Sequence, residues 1–130
     1  MEWQFLDFVD ENGANVIKEW IAKLPPHAQK PVKAKLKTRL LNFQGMPTLE
    51  GQITPLVGCP GVLEIKMFVG KVRYRPLVCY KSARQVVLLY VAKEQGGKLK
   101  PPSACGIAQE RRAVVLNDAE GKRVCEHDLR

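Results

Sequence analysis

The sequence predicts an α+β domain, and three patterns carry that prediction. The first residues alternate between two faces, as a strand does. Two stripes of apolar residues at helical spacing follow before Gly45. Three β-branched runs joined by short connections come next. The expected architecture is an N-terminal strand, a helical hairpin, an antiparallel sheet of about four strands and a C-terminal helix.

Each element has its own signal. In Glu2 to Val9, Trp3, Phe5 and Asp7 fall on one face, and Gln4, Leu6 and Phe8 on the other. Asp10-Glu11-Asn12-Gly13 reads as a turn. Asn12 or Asn15 can cap a helix that runs to about Leu24, with Val16, Ile17, Trp20, Ile21 and Leu24 as its apolar stripe. Pro25-Pro26 stops it. A second helix carries Ala28, Val32, Leu36, Leu40 and Phe43 and ends at Gly45. Proline has no N–H to donate, so regular helix is expected to start near Pro31. Met46 to Pro60 reads as a loop.

Val62 to Phe68, Lys71 to Tyr80 and Val86 to Lys93 are the strand-like runs. Their connections are too short for a crossover, so antiparallel pairing is expected. Pro76 favours an edge or a bulge. Gln95-Gly96-Gly97 breaks the last strand, and a helix is expected from about Ser103 to Leu116. This gives a single domain over residues 1–117. A polar tail, residues 118–130, shows no apolar period.

Composition narrows the class. The 130 residues are 45% hydrophobic and 26% charged, which excludes a mainly disordered or fibrous chain. A domain of this length buries roughly two-thirds of its unfolded surface, enough for a core without disulfides or metal. The longest uncharged apolar run, Val86 to Ala92, falls far short of the ~20 residues that cross a bilayer. The start, Met-Glu-Trp-Gln-Phe-Leu-Asp, lacks the basic and apolar stretches of a signal peptide, so a cytoplasmic protein is expected. The four cysteines include no C-x-x-C pair. The expectation is free thiols in a reducing compartment, without a zinc site.

The formal charge is +8, and it is unevenly spread. Acids concentrate before Trp20. From Trp20 to Leu49 there is none, but there are five lysines and Arg39. From Ile65 to Lys93 there is again none, but Lys66, Lys71, Arg73, Arg75, Lys81, Arg84 and Lys93 are present. Two acid-free basic blocks point to a polyanionic partner, since clustered cations attract phosphate and release counterions.

Three segments in order resemble a known family. They are Gly61-Val62-Leu63-Glu64-Ile65-Lys66, Val72-Arg73-Tyr74-Arg75 and Val87-Leu88-Leu89-Tyr90-Val91-Ala92-Lys93, with Leu24-Pro25 between the two helices. They are similar to the strand motifs of the RelE/HigB-like toxins of type II toxin–antitoxin systems, notably the phage-derived branch of the RelE/ParE superfamily. The resemblance covers residues 3–115. It implies a metal-independent endoribonuclease without cofactor that cuts mRNA, commonly on the ribosome, and is silenced by a cognate antitoxin. Ala92 stands where the family has an aromatic residue, and Glu94 where it has a second basic one.

The chemistry suits these residues. Attack of a ribose 2′-OH on the adjacent phosphate builds negative charge, which nearby cations stabilise. Arg73 and Arg75 are two apart on a strand and share a face. Arg75 is the expected phosphate clamp, through its bidentate fork. Lys66 and Lys93 are candidates for proton transfer or further charge stabilisation. Lys71, Lys98 and Lys100 are candidates to grip the RNA backbone, and Tyr90 to stack on a base. Glu64 is the carboxylate expected to pair with an arginine if the site is structural. Two other readings remain open: a ParE-like gyrase inhibitor without nuclease activity, and a non-toxic nucleic-acid-binding or regulatory module on the same fold.

Overall fold

The computed structural model describes residues 3–45 and 53–130. Eleven elements follow in order: β1 Gln4–Phe8, α1 Val16–Ala22, α2 Pro26–Gly45, β2 Ile53–Pro55, β3 Leu63–Ile65, β4 Met67–Val69, β5 Val72–Ser82, β6 Gln85–Gln95, β7 Lys98–Lys100, α3 Ala104–Leu116 and β8 Val124–Glu126. The result is a mixed α+β fold with three helices on an open sheet of order β2-β3-β5-β6-β1-β8. In addition, β4 pairs with β5, and β7 with β6. Of the expected loop, Met46 to Pro60, residues 46–52 lie outside the described residues, and Ile53–Pro55 is not loop but β2, paired antiparallel with β3.

The long hairpin β5–β6 is antiparallel, as the short connection requires. The first strand corrects the all-antiparallel expectation: β1 runs parallel to β6, with Phe5 opposite Val86 and Leu6 opposite Val87. The helical hairpin and intervening strands supply the crossover that parallel pairing needs. Position beside β1 also explains the unbroken apolar run in β6. Val86 to Leu89 are buried on both faces of the sheet. The tail brings a second correction. Val124, Cys125 and Glu126 pair antiparallel with Phe8, Asp7 and Leu6, so residues beyond 117 complete the sheet.

The run Val62 to Phe68 breaks at Lys66. Its first half pairs with Leu77 and Val78, its second with Val72, Arg73 and Tyr74. Pro76, which has no N–H to offer, sits opposite this break, and a register shift against β6 follows at Leu77/Val78.

Asn15 caps α1, its side chain accepting from the Ile17 and Lys18 backbone N–H groups. The second helix starts at Pro26, earlier than expected. At the first helical position a missing N–H costs nothing, since that group has no intrahelical partner. Pro31 lies inside α2 on the exposed side, where its ring forfeits one helical bond.

The core lies in two layers. Between the sheet and α1–α2 are Phe5, Ile17, Val32, Leu36, Leu40, Tyr74 and Leu88. Between the sheet and α3 are Leu6, Phe8, Leu77, Val87, Leu89, Ala104 and Val115. The sheet is therefore covered on both sides, and its open surface is confined to strand ends and edges.

A disulfide joins Cys59 to Cys105 and ties the loop before β3 to α3. Only Cys79 and Cys125 are free, which corrects the expectation of four thiols. Two further contacts pin the same loop. Gln109 donates to the Pro60 carbonyl, and Gly61 (φ +82°) packs on Arg112 so closely that a Cβ would lie 2.6 Å from Cζ. Any other residue there would have to push the Arg112 guanidinium aside and hold a left-handed backbone that glycine adopts freely.

Candidate nucleic-acid interface

Register decides which predicted cations can act together. Arg73 lies between Phe68 on β4 and Glu94 on β6, and Arg75 opposite Ala92. Tyr74, one residue between them, lies opposite Met67 and Lys93, and Lys93 in turn opposite Lys100. Neighbouring strand residues point to opposite faces. Arg73 and Arg75 therefore share one face with Glu94, while Lys93 and Lys100 share the other with Tyr74. The four proposed catalytic residues are not one cluster.

The two arginines differ sharply in availability. Arg75 is buried, with 8% of its surface exposed. Its Nη2 donates to Glu94 Oε1 at 2.9 Å, its Nη1 to the Tyr74 carbonyl at 3.0 Å, and its Nε lies 4.0 Å from Glu64 Oε2. Glu64 is thus a partner, as the sequence suggested, but Glu94 is the closer one. Arg73 donates from Nη1 to the other Glu94 oxygen at 3.0 Å. One carboxylate bridges two guanidinium groups. The hydrogen bond from Arg73, with Arg75 beside it, holds the Glu94 carboxyl below the usual range. Burial pushes the Glu64 carboxyl up and outweighs the opposing pull of Arg75 and Lys66. Arg75 is a neutralised strut, whereas the Arg73 side chain is 60% exposed.

Arg73 also lies 5.9 Å above the ring of Phe68, an exposed aromatic side chain. At this end of the sheet, Lys71, Arg73 and Lys93 line one groove of about 380 Å³ with Phe68, Val72, Glu94, Gln95 and Gly96. The groove wraps the strand ends and so gathers cations from both faces. Lys93 stands 6.0 Å from the ring centre of Tyr74, which meets Trp20 edge-on at 5.4 Å. It is the lysine ammonium that lies over the Tyr74 ring, on a residue that is itself exposed.

The other candidates lie apart. Lys66 is exposed at the strand break, where its carbonyl accepts from Arg39 Nε at 3.0 Å. Lys98 and Lys100 are exposed on β7. Tyr90 is half-buried beneath Arg111, 5.5 Å from its ring centre, and Arg111 also donates to the Leu89 carbonyl at 2.7 Å. Tyr90 is therefore a packing partner of that arginine rather than an open stacking platform.

No family model, curated protein or solved structure matches this chain. Among the described residues, no three His, Cys, Asp or Glu side chains gather as a metal ion would need, and no helix is long and apolar enough to cross a membrane.

Sequence reasoning missed two features. Phe68 reads as one more apolar strand residue, and only the short β4 shows that its ring is left uncovered. A buried pair, Asp7 and His127, joins β1 to the residue after β8, with Oδ1 and Nδ1 2.7 Å apart. These residues are 120 positions apart, and no local pattern connects them.

Proposed function

We propose that this chain is the RelE/HigB-like toxin of a toxin–antitoxin module, a metal-independent endoribonuclease that engages mRNA, with the ribosome and a cognate antitoxin as its partners in the cytoplasm. The observation that carries the reading is the groove at the end of the sheet. It places three cations, Lys71, Arg73 and Lys93, beside an exposed aromatic ring, the combination that holds single-stranded RNA by phosphate and base together. The order of the strand motifs, which fall on β3, β5 and β6, supports it.

The roles follow from availability. Arg73 meets a phosphate, exchanging its bond to Glu94 for one to the ligand. Lys93 and Lys71 flank it, and Phe68 stacks on a base. Arg75 is a positioning residue that fixes Glu94, and through it the resting place of Arg73. Cleavage would proceed by attack of the ribose 2′-OH on the adjacent phosphate. The 2′-OH gives up its proton to water as the new O–P bond forms and the P–O5′ bond breaks. Lys93 gives a proton to the departing O5′ and regains one from water. The product end is a 2′,3′-cyclic phosphate, and the growing charge rests on Arg73.

The test is controlled expression in bacteria with mapping of mRNA 5′ ends, comparing the wild type with Arg73→Ala and Phe68→Ala. Both side chains are exposed, so both variants keep the fold. The expected result is growth arrest with new cuts in translated frames, lost or sharply reduced in Arg73→Ala. In purified form, Arg73→Ala should lower the salt slope of single-stranded RNA binding by about 0.7, the share of one phosphate contact. Arrest with intact mRNA would overturn cleavage in favour of a gyrase-type target. A second reading is favoured by the neutralisation of Arg75: a nucleic-acid-binding module that does not cut. It predicts the same salt slope without arrest.

A further inference from the structure

The sheet has a gap in it. Strand β1 pairs with β6 as far as Leu88, and β7 takes up the same edge only at Lys93. Among the described residues, Leu89 to Ala92 therefore have β5 on one side and no strand on the other. At about 3.3 Å per residue this leaves about 13 Å of open edge. The register shows which backbone groups face it. Val91 lies opposite Pro76, which has no N–H to share. Lys93 and Gln95 pair with β7 across a two-residue turn, and alternate residues present their N–H and C=O to the same side. Val91 thus turns its N–H and C=O into the gap. It is only 6% exposed, and buried backbone groups are normally paired.

Two residues earlier, a side chain caps the same strand. Arg111 on α3 donates from Nη1 to the Leu89 carbonyl at 2.7 Å, as the N–H of a neighbouring strand would. Its guanidinium lies 5.3 Å and 5.5 Å from the ring centres of Phe8 and Tyr90, and it has no ion-pair partner among the described residues. Burial draws its basicity down by more than the pull of Tyr90, Asp10 and Glu110 restores. A guanidinium carries five N–H donors, so most of them are left to spend. Arg111, Tyr90 and Val91 line one cavity of about 240 Å³ with Val16 and Trp20 of α1, both half-buried. Tyr90 and Val91 point to opposite faces, so a cavity that touches both lies on the edge of the strand. Its rim holds Asp10 with the exposed Glu19 and Lys23.

We propose that this gap binds the C-terminal end of a partner polypeptide as a short added strand. The bound chain donates an N–H to the Val91 carbonyl and accepts from the Val91 N–H. Its terminal carboxylate meets Arg111, and its apolar side chains lie against Val16 and Trp20. The occupant follows from the shape and charge of the site. β1 closes one end of the gap and β7 the other, so a strand laid in it has to end there. The unpaired cation selects a carboxylate at that end. At the rim, Asp10 and Glu19 outnumber Lys23, which favours a basic residue earlier in the bound chain. The cavity shares no lining residue with the groove at the strand ends, and the proposal does not depend on the toxin reading.

The experiment uses the full ¹⁵N-labelled chain, titrated with the peptide acetyl-Ala-Lys-Val-Val bearing a free carboxylate. Its C-terminal amide and acetyl-Ala-Glu-Val-Val are titrated in parallel. The expected result is a saturable shift of the Val91 amide and the Arg111 Nε–H with the free acid. The amide should bind at least about tenfold more weakly, the scale of one charge-assisted contact. The glutamate peptide should bind roughly threefold more weakly, the scale of an exposed charge pair. Arg111→Gln keeps a donor for the Leu89 carbonyl and should weaken the free acid about tenfold while leaving the amide unchanged. No shift at Val91 with millimolar peptide overturns the proposal. So does equal binding of acid and amide, a glutamate peptide that binds as well as the lysine one, or wild-type affinity for the acid in Arg111→Gln. The peptide comparisons are made on the wild type, so they decide even where Arg111→Gln fails to fold.

Discussion

Replacing Arg75 with alanine should damage stability before it informs on function. The guanidinium is shared between the Tyr74 carbonyl, Glu94 and Glu64, and its side chain is only 10% exposed. The two carboxylates are themselves largely covered, at 15% and 22%. Removing one partner from a buried ion pair costs about 3–5 kcal/mol, and the partial exposure here points to the low end, about 3 kcal/mol. With an unfolding entropy of about 2.1 cal/mol/K per residue, a chain of 130 residues loses about 11 °C in Tm for that amount. The assay is thermal and urea denaturation of the wild type, Arg75→Ala, Glu94→Gln and the double variant. The cost of Arg75→Ala should fall by at least about 1 kcal/mol once Glu94 is uncharged, because less charge is then left stranded. A Tm drop under about 3 °C, or strict additivity in the cycle, would refute the view of Arg75 as a neutralised strut. It would return the residue to the phosphate-clamp role. The same figures mean that lost toxicity in Arg75→Ala alone does not identify a catalytic group.

Two other outcomes follow. The Glu64 and Glu94 carboxyls are displaced in opposite directions, so neutralising them should act with opposite sign. Glu64 titrates above its unfolded value of 4.5; its ionised form costs stability at neutral pH, and the cost is gone below pH 4.5. Glu94 titrates below that value; it adds stability above pH 4.5, lost as the pH falls through its folded-state pKa. At pH 7, Glu64→Gln should therefore raise the urea midpoint and Glu94→Gln lower it, both differences shrinking in acid; equal signs would contradict the assignment. Cys59→Ser should cost about 4 kcal/mol, the loop-closure entropy of a bridge spanning 46 residues. Thiol reductant should give the same loss of stability in the wild type and none in the variant, read by urea denaturation.

The order and type of the main elements were legible because each is written in local pattern. The stripe Val32, Leu36, Leu40 marks α2, and the short link after Ser82 marks the β5–β6 hairpin. What escaped was long-range. Nothing in Glu2 to Val9 says that β1 pairs parallel with β6, because a strand shows its faces but not its neighbour. The strand β8 is three residues of mixed polarity, too short for a period to appear. The helix start at Pro26 was hidden by two prolines whose meaning depends on position within the turn. In the candidate site, the shared face of Arg73 and Arg75 was readable from spacing alone. The displacement of Lys93 to the opposite face needs the β5–β6 register, and the choice of Glu94 over Glu64 as the closer partner needs the packing between strands.

The parallel seat of β1 also bears on the route by which the chain folds. The β5–β6 hairpin closes across Ala83 and Arg84, but Gln4 meets Gln85 only after closing a loop of 81 residues. Loop entropy rises as (3/2)RT ln n, so the distant pairing carries about 3 kcal/mol more than the local one. The hairpin is thus the natural nucleus, and β1 docks onto an edge that already exists. Substitutions in β5 and β6 should slow folding, whereas those in β1 should mainly speed unfolding.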